Sequence, residues 1–392
     1  MKKVLLIALI AVLWIASCEN SAKKAQQMSE QYQAMNAKYQ QQLLLAQNDS
    51  TYRSTIQEWN NTRQQMLEKY KNAKSTPQIE LLRSELLVDL GRYGEAMPKL
   101  NQLIEENSPV TDQAKFEKVK VLQEQHDMKA AYTLFKEIEG RVEKNNSYYE
   151  VLMNFAFEAP ETAAREAYTN QLLQTKDLPE DIARYVPYLY ENLASIAREK
   201  GNVEESRKIL QNGISTLEAQ GRDVASLEST LKITDMIGKP APVLTAKNWV
   251  NSRPLNLRSL KGKVVVIDFW ATWCGPCRAV IPTIVKDYNE YKNKGLAVIG
   301  YTRLYGRYSD DTQRLGTVPP EKELRLTKEF LKRHNMDYPV AIAENTAGFD
   351  KYSIRGIPTM FFINKKGIIT DFKIGSGNEE FITDKIKELL GA

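Results

Sequence analysis

The sequence predicts a chain of two fold classes, an all-helical region followed by a mixed α/β sheet with helices on both faces. Residues 77–236 contain amphipathic runs with helical periodicity, separated by glycine and proline. After these, short β-branched runs alternate with helical patterns, which indicates strands joined by helical crossovers. The segment 237–242, with one glycine and two prolines, breaks the helical pattern and separates the two classes.

The N-terminus has the pattern of a secretory signal. A basic start, Met1–Lys3, is followed by an apolar run, Val4–Ile15, and then by the small residues Ala16 and Ser17. This run is too short for a lasting membrane span, so we expect residues 1–17 to be removed.

Ile15-Ala16-Ser17-Cys18 also resembles a bacterial lipobox. The resemblance implies cleavage before Cys18 and a diacylglycerol thioether on its sulfur. Several acyl chains would anchor the mature protein stably to a membrane, facing the periplasm or the outside. In the alternative interpretation, Cys18 is only a small residue in an ordinary signal peptide.

Residues 18–76 are polar, and their few apolar side chains recur at spacings of three and four, as in Met28, Tyr32, Met35 and Tyr39. This spacing predicts an amphipathic helix with a narrow apolar seam. We interpret the segment as a lipidated N-terminus followed by a polar helical stalk. A seam of this kind also suits a helix that pairs with another helix or covers the next domain.

The all-helical region, 77–236, contains three similar segments, Gly91–Leu100, His126–Phe135 and Gly201–Leu210. Each reads as a turn, a small residue where two helices cross, and a large apolar residue one turn later. Gly91–Leu100 resembles part of a tetratricopeptide repeat, and a degenerate unit around Ala164 fills the longer gap. Stacked helical hairpins leave a concave face, so a protein partner there is one hypothesis and a simple spacer is the other.

The final domain, 237–392, is expected to contain a β-hairpin at about 243–257 and then a regular series of elements. These are a central strand Val264–Trp270, a helix Cys277–Asn293, a strand Leu296–Tyr301, a helix Glu321–Arg333, a strand Tyr338–Ala343, a hairpin of Thr359–Ile363 with Ile368–Lys373, and a helix from Asn378. The segment Arg303–Pro320 is predicted as a loop. Its Tyr305, Arg307, Tyr308 and Arg314 either contact a partner or are simply solvated.

Two cysteines stand where the central strand meets the following helix. This arrangement puts Cys274 at the exposed N-terminus of the helix and Cys277 one turn further in. Unpaired N–H groups and the helix dipole favour a thiolate there, so we expect the pKa of Cys274 to lie below the free value of about 8.5. The spacing lets Cys277 close a disulfide with Cys274, and such a pair can carry two electrons.

The sequence Trp-Cys-Gly-Pro-Cys, preceded by Asp-Phe-Trp-Ala, resembles the active site of the thioredoxins. With Thr272, the sequence Trp-Ala-Thr-Trp-Cys resembles that of the TlpA/ResA branch, whose members are membrane-tethered bacterial thioredoxin-like proteins. Pro282, the segment Arg355–Thr359 and Gly375 match further family positions, so the resemblance covers roughly residues 238–392. It implies a thioredoxin fold for this domain.

We assign Cys274 as the attacking thiolate and Cys277 as the thiol that resolves the mixed disulfide. By strand alternation, Asp268 shares a face with Val264, Val266 and Trp270 of a strand that should be buried. Burial would raise the pKa of Asp268 and let it accept a proton from Cys277 through water. Thioredoxins carry an aspartate at the matching position. The alternative is an aspartate that caps or pairs locally.

The resemblance also implies a surface for substrates. Ile357–Pro358 should form a cis peptide bond beside the cysteines, leaving the Ile357 backbone to pair with a substrate strand. The same shallow surface would be lined by Trp273, Gly275, Pro276 and Gly375.

Two positions depart from the family pattern. The lysine that thioredoxins place beside the aspartate is missing, since the matching strand reads Ala297-Val298-Ile299-Gly300. Many TlpA/ResA-like members have a glutamate three residues after the second cysteine, where this chain has Val280.

Composition excludes other classes. A formal charge of +5, spread without a basic block, argues against a nucleic-acid partner. Only three cysteines are present, and neither His126 nor His334 stands in a motif, so we expect no metal site and no cofactor.

The sequence therefore predicts an extracytoplasmic, lipid-anchored thiol–disulfide oxidoreductase. Its Gly-Pro dipeptide between the cysteines resembles the reducing members, so we expect net reduction of disulfides in extracytoplasmic proteins. A membrane thiol carrier would supply the electrons. Two alternatives are a helical-repeat adaptor with an incidental thioredoxin unit and a peroxiredoxin-type peroxidase. Peroxidases of that type need a Pro-x-x-x-Thr/Ser-x-x-Cys pocket, which Asp268–Cys277 does not provide.

Overall fold

The computed structural model describes residues 2–46 and 48–391, with side chains from Ser21 onward. The chain forms two compact units, Met1–Arg184 and Tyr185–Ala392. Cys18 and the predicted signal peptide precede the described side chains, so their roles stay predictions. Within the described residues, no helix combines the length and the apolar character needed to span a membrane.

The first unit is entirely helical in its described part. Its helices are α1 (Lys2–Leu44), α2 (Asp49–Tyr70), α3 (Pro77–Asp89), α4 (Tyr93–Glu105), α5 (Thr111–Glu124), α6 (Met128–Ile138), α7 (Asn146–Glu158), α8 (Thr162–Gln174) and α9 (Glu180–Ala183). Helices α3 to α8 form three successive hairpins, each made of two helices joined by a short turn.

The hairpin turns follow the predicted pattern. Gly91 and His126 both have a left-handed backbone, with φ of 69° and 59°. Each lies just after a helix, where this conformation allows the next N–H to reach back to the helix's last carbonyls. Further along, Ala96 and Ala131 are fully buried where the helices cross. Relation to the tetratricopeptide family stays a prediction.

The apolar seam of α1 packs against other helices. Met28, Met35 and Tyr39 are buried in a core with Trp59 of α2 and Leu82 of α3. The seam therefore pairs with neighbouring helices, as in one of the interpretations given above. Whether the segment also lifts the protein off a membrane stays a prediction.

The second unit begins with three helices, α10 (Val186–Glu199), α11 (Val203–Ala219) and α12 (Ala225–Thr234). The elements that follow are β1 (Asn248–Val250), β2 (Val264–Phe269), α13 (Gly275–Tyr291), β3 (Leu296–Arg303), β4 (Arg307–Ser309), β5 (Arg314–Thr317), α14 (Pro320–Arg333), β6 (Val340–Ala343), α15 (Ala347–Lys351), β7 (Thr359–Ile363), β8 (Ile369–Ile374) and α16 (Glu380–Leu390).

Six strands form one mixed sheet in the order β1-β6-β3-β2-β7-β8. Strands β2, β3 and β6 are parallel, and β1, β7 and β8 pair antiparallel with their neighbours. One face of the sheet packs against α13, α14 and α16, and the other packs against α12 and α15. The predicted mixed sheet covered on both faces is therefore confirmed, as is the helical region before it.

The predicted β-hairpin at 243–257 is wrong. Only Asn248–Val250 forms a strand there, and it pairs antiparallel with β6 across a long sequence separation. The predicted loop Arg303–Pro320 is partly wrong, because β4 and β5 form a small separate hairpin within it.

Helices α10–α12 pack onto the sheet and belong to the same compact unit. Arg198 of α10 lies 3.3 Å from the carboxylate of Asp371 in β8, and both side chains are almost completely buried. The Arg198 guanidinium also stacks 3.9 Å from the centroid of the Phe372 ring. Removing one partner of such a buried pair typically costs about 3–5 kcal/mol.

The predicted boundary at 236/237 follows the change in secondary structure, whereas the contacts divide the chain after residue 184.

Candidate functional site

The two cysteines lie where the central strand gives way to a long helix. Strand β2 ends at Phe269 and α13 begins at Gly275, so Cys274 is the N-cap residue of α13. Its sulfur accepts a hydrogen bond from the N–H of Cys277 at 3.1 Å. In the reduced protein, this N–H and the positive end of the helix dipole would favour a negatively charged sulfur.

Cys274 and Cys277 are joined by a disulfide, with their Cα atoms 5.2 Å apart. The pair predicted to be redox-active is therefore close enough to bond without rearrangement of the helix. Both sulfurs pack into the core on one face of the sheet, while the neighbouring Trp273, Gly275 and Pro276 are exposed. The disulfide thus lies directly beneath a small exposed surface.

A second segment approaches the same sulfur. The predicted cis peptide bond between Ile357 and Pro358 is confirmed. The Ile357 carbonyl oxygen lies 3.6 Å from the Cys274 sulfur, and the Gly375 N–H donates to the Pro358 carbonyl at 2.9 Å. Gly375 has a φ of 81°, a backbone conformation that favours glycine. The structure therefore brings the predicted surface residues together around Cys274.

Asp268 lies inside β2 and is only 2% exposed. Its neighbours on the same strand face, Val266 and Trp270, pack into the core that contains both cysteines. Burial raises the pKa of Asp268 to about 7. Its Oδ1 atom has no hydrogen-bond partner among the described residues, which argues against a local capping role. The carboxyl group can therefore exchange a proton near neutral pH on the sheet face that carries the cysteines.

Comparison with known proteins agrees with this geometry. Residues 236–390 match the Redoxin family. The thiol-disulfide oxidoreductase ResA of a Bacillus cereus strain is 30% identical over 153 residues, which are 39% of this chain and 78% of ResA. The chain belongs to the TlpA/ResA-like thioredoxin family.

Two further similarities were found. Protein DipZ of Mycobacterium tuberculosis (strain CDC 1551 / Oshkosh) is 27% identical over 224 residues, which are 55% of this chain but only 29% of DipZ. The solution structure of a putative protein disulfide isomerase from Bacteroides thetaiotaomicron is 32% identical. The match covers 40% of this chain and 91% of the isomerase chain, with a TM-score of 0.32.

The lysine that thioredoxins place beside the aspartate has no room in this TlpA/ResA-like chain. Gly300 of β3 is the direct neighbour of Asp268 in the sheet register. A Cβ atom on Gly300 would lie 3.0 Å from Trp270 Nε1 and 3.2 Å from Tyr338 Cε2. Both rings are fully buried, so a side chain at this position would have to displace them.

Trp270 and Tyr338 also shape the surroundings of the carboxyl group. Trp270 Nε1 and the Tyr338 hydroxyl are, like Asp268 Oδ1, buried without a partner among the residues that the structure describes. Burial, together with the nearby charge of Asp268, holds the pKa of Tyr338 well above its ordinary range. Val280, where many family members have a glutamate, is an apolar part of the same core. Asp268 is therefore tuned by burial and not by a neighbouring cation.

The sequence did not reveal what the β4–β5 segment contacts. The Tyr305 ring packs edge-to-face on Trp273 at 5.4 Å, and the Arg307 guanidinium lies 5.7 Å from the Trp273 ring. Tyr308, in contrast, is buried and donates a hydrogen bond to the Leu326 carbonyl at 3.1 Å. The unusual length and the Arg/Tyr content of the segment were the available signal. The packing partner was not predictable from them.

No group of three or more His, Cys, Asp or Glu side chains is placed to hold a metal ion in the part of the chain with described side chains. His126 lies in a hairpin turn of the first unit, and His334 contacts Asp311 at 3.3 Å.

Proposed function

We propose that this protein is a thiol–disulfide oxidoreductase that reduces disulfide bonds in other proteins. The observation that carries the proposal is the Cys274–Cys277 disulfide at the N-terminus of α13, beside the cis Ile357–Pro358 bond. Membership of a family with relatives named thiol-disulfide oxidoreductases supports it.

The reaction uses the reduced dithiol. The Cys274 thiolate attacks one sulfur of a substrate disulfide, forming a mixed disulfide and releasing one substrate thiolate. Cys277 then attacks the Cys274 sulfur, forming the Cys274–Cys277 disulfide and releasing the second substrate thiolate. Two electrons pass from the dithiol to the substrate, and the protein ends in the oxidised state that the structure describes.

Asp268 serves the second step. The Cys277 thiol must lose its proton before it can attack, and a buried carboxylate whose pKa is about 7 can accept that proton near neutral pH. A water molecule would connect the two groups. The released substrate thiolate then takes up a proton, so that protons balance over the cycle.

The substrate lies on the exposed surface around Cys274. The Ile357 backbone pairs with an extended segment of the substrate, in the manner of an added β-strand. Trp273, Gly275, Pro276, Pro358 and Gly375 line this surface. The small residues let a substrate backbone approach the sulfur closely.

The physiological direction is reduction, with electrons supplied by a thiol carrier in the membrane. The Gly-Pro dipeptide between the cysteines supports this direction. Reducing dithiols of this type have a reduction potential of about −270 mV, whereas strong oxidants have one of about −120 mV. A measured potential near the oxidising value would reverse the direction and leave the disulfide chemistry intact.

The protein acts outside the cytoplasm, anchored through lipid on Cys18. The basic start, short apolar run and Ile-Ala-Ser-Cys sequence support this. We expect the protein to enter the detergent phase in Triton X-114 partitioning, and the Cys18→Ala variant to lose this behaviour. An unchanged distribution of the variant would contradict the anchor.

The helical region positions partners for the catalytic unit. A groove of about 970 Å³ in the first unit is lined by parts of α1, α3 and α5 and by the residues that lead into α7. Its size supports a partner-binding role over a spacer. Stacked hairpins of repeat type would supply such a surface.

Trapping tests the oxidoreductase proposal. The Cys277→Ser variant should hold substrates on Cys274 as mixed disulfides, because the resolving thiol is absent. The Cys274→Ser/Cys277→Ser double variant is the matched control and should hold none. If neither variant yields thiol-releasable adducts in cells, the proposal fails.

The identity of the trapped proteins also separates the alternatives. One or a few defined partners, such as apocytochromes, would indicate a dedicated reductant aimed by the helical region. A broad set of secreted proteins would indicate a general reductant with a helical spacer. Retention of the cellular phenotype in a Cys274→Ala strain would favour an adaptor, and peroxide turnover without Cys277 would favour a peroxidase.

A further inference from the structure

Four arginines surround the exposed surface above the Cys274–Cys277 disulfide, and we call them the arginine rim: Arg278, Arg303, Arg307 and Arg355. Arg278 donates from Nη1 to the Thr272 carbonyl at 2.8 Å, so its guanidinium lies over the turn before Cys274. Arg355 is exposed and stands two residues before Ile357, whose carbonyl faces the Cys274 sulfur.

The other two members of the rim come from the segment of β3 and β4. Arg307 is exposed, and its guanidinium lies 5.7 Å from the centroid of the Trp273 ring. Arg303 stacks 4.1 Å from the centroid of the Tyr305 ring, which itself packs on Trp273. Two aromatic rings and two guanidinium groups thus form one wall beside the reactive sulfur.

The β4–β5 hairpin is held firmly enough to keep this wall in place. Buried Glu323 accepts hydrogen bonds from the N–H groups of Tyr305 and Gly306 at 2.7 and 2.9 Å. Tyr308 and Val318 pack with Leu326 of α14 in a small core of their own. The wall is therefore a built part of the fold and not a solvated loop.

The rim carries positive charge without local neutralisation. Across the described part of the chain, none of its four arginines forms an ion pair with a carboxylate, whereas Arg198, Arg207, Arg325 and Arg333 of the same unit all do. Two acidic groups close to the β4–β5 segment are already engaged. Glu323 binds the two backbone N–H groups, and Asp310 pairs with Arg333.

We propose that the arginine rim selects substrate disulfides that are flanked by acidic residues. Guanidinium groups bind carboxylates through paired, charge-assisted hydrogen bonds, and exposed charges around a site also steer oppositely charged partners toward it. The exposed Trp273 ring gives the substrate chain an apolar contact between these charges. This selectivity rests on the proposed function, because it concerns the substrates of the same disulfide.

Three cyclic peptides test the rim. Each is closed by one disulfide, and they differ only in the residues that flank the cysteines: Asp, Ser or Lys. Full-length protein in detergent is reduced, freed of reductant and mixed with each peptide, and the second-order rate constant of its oxidation is measured. At low ionic strength we expect the Asp peptide to react about tenfold faster than the Ser peptide, and the Lys peptide slowest. These ratios should shrink in about 0.5 M salt, where exposed charges are screened.

Variants assign the selectivity to the rim. Arg307→Glu should lower the Asp-to-Lys rate ratio at least about tenfold. Arg355→Glu changes a different segment, the loop between α15 and β7, and should lower this ratio too, so a folding defect in one variant does not decide the test. Arg258→Glu changes the net charge equally. Arg258 is exposed and precedes β2, whose length of roughly 20 Å separates it from the end of the strand that leads to Cys274. We therefore expect this variant to keep the wild-type Asp-to-Lys rate ratio.

The outcomes separate this proposal from the proposed function. Reduction of all three peptides at equal rates would overturn the rim and leave the oxidoreductase intact. If Arg258→Glu lowered the Asp-to-Lys rate ratio as much as Arg307→Glu does, the rim proposal would also be overturned, because the preference would then come from net charge. Failure to react with any peptide would overturn the oxidoreductase proposal itself.

Discussion

Replacing Cys274 with alanine is expected to lower the rate of protein-disulfide reduction by about 10⁴-fold or more. The chain has only three cysteines, and Cys18 belongs to the predicted lipid anchor. Cys277 cannot take over the attack easily, because it lies inside the first turn of α13, behind Cys274 at the N-cap position. The measurement is the turnover of a protein disulfide with a chemical reductant as electron donor.

The matched variants should behave differently from Cys274→Ala. Cys277→Ser keeps the attacking sulfur, so we expect one equivalent of substrate thiol to be released rapidly before the mixed disulfide stalls. Cys18→Ala removes the remaining cysteine and should keep full turnover in detergent. Equal activity of Cys274→Ala and wild type would show that the proposed nucleophile is not the one used.

The redox pair could be predicted because its signals are local. A β-branched run, an aspartate and two cysteines three residues apart specify a buried strand, a turn and a helix N-terminus within a short stretch. The cis Ile357–Pro358 bond was predicted through the resemblance of Arg355–Thr359 to the matching segment of thioredoxins. The structure adds the distance between these segments, since the Ile357 carbonyl lies 3.6 Å from the Cys274 sulfur.

Long-range pairings were not predictable in this way. Asn248–Val250 joins the sheet at its edge through β6, and nothing in the local sequence distinguishes that from a local hairpin. Arg198 reads as an ordinary helical arginine until it meets Asp371, far along the chain. Gly213 reads as a weak helix position. The structure shows it where the Tyr190 ring leaves no room, at 2.7 Å, for a Cβ atom.

Asp268→Asn is expected to stabilise the oxidised second unit at high pH and to have no such effect at low pH. Burial raises the pKa of Asp268 to about 7, whereas an aspartate in the unfolded chain has a pKa of about 3.9. Below about pH 4 the carboxyl is protonated in both states, so its ionisation does not affect stability. Between about pH 4 and 7 it ionises only in the unfolded state, and the wild type loses stability as pH rises.

Above about pH 7 both states are ionised and the loss levels off. The pKa of Asp268 differs by about three units between the folded and unfolded states, so the wild type loses about 4 kcal/mol of unfolding free energy as pH rises. The asparagine variant has no such loss. Burying the amide has its own desolvation cost, but that cost is independent of pH. The quantity to compare is therefore the change in the variant's relative stability between pH 4 and pH 8.

Hydrogen exchange of the β2 amides in the oxidised protein measures this quantity for the unit that holds Asp268. In that state Cys274 and Cys277 are bonded and do not titrate, and other ionisable groups are shared by both proteins and cancel. A relative stability that stays constant with pH would mean that Asp268 titrates near its ordinary value in the folded protein. It would then be fully ionised well below neutral pH and a poor acceptor for a thiol proton.

The same variant should slow the second step of the reaction. Loss of a general base typically costs about 10²-fold or more, and only the resolution of the mixed disulfide needs this base. We therefore expect slower release of the second substrate thiol from Asp268→Asn near pH 7, with the first release little changed. The variant's gain of stability above neutral pH and its slower resolution of the mixed disulfide have one physical cause. Burial makes the folded state hold a carboxyl group whose proton leaves at the pH where the cysteines react.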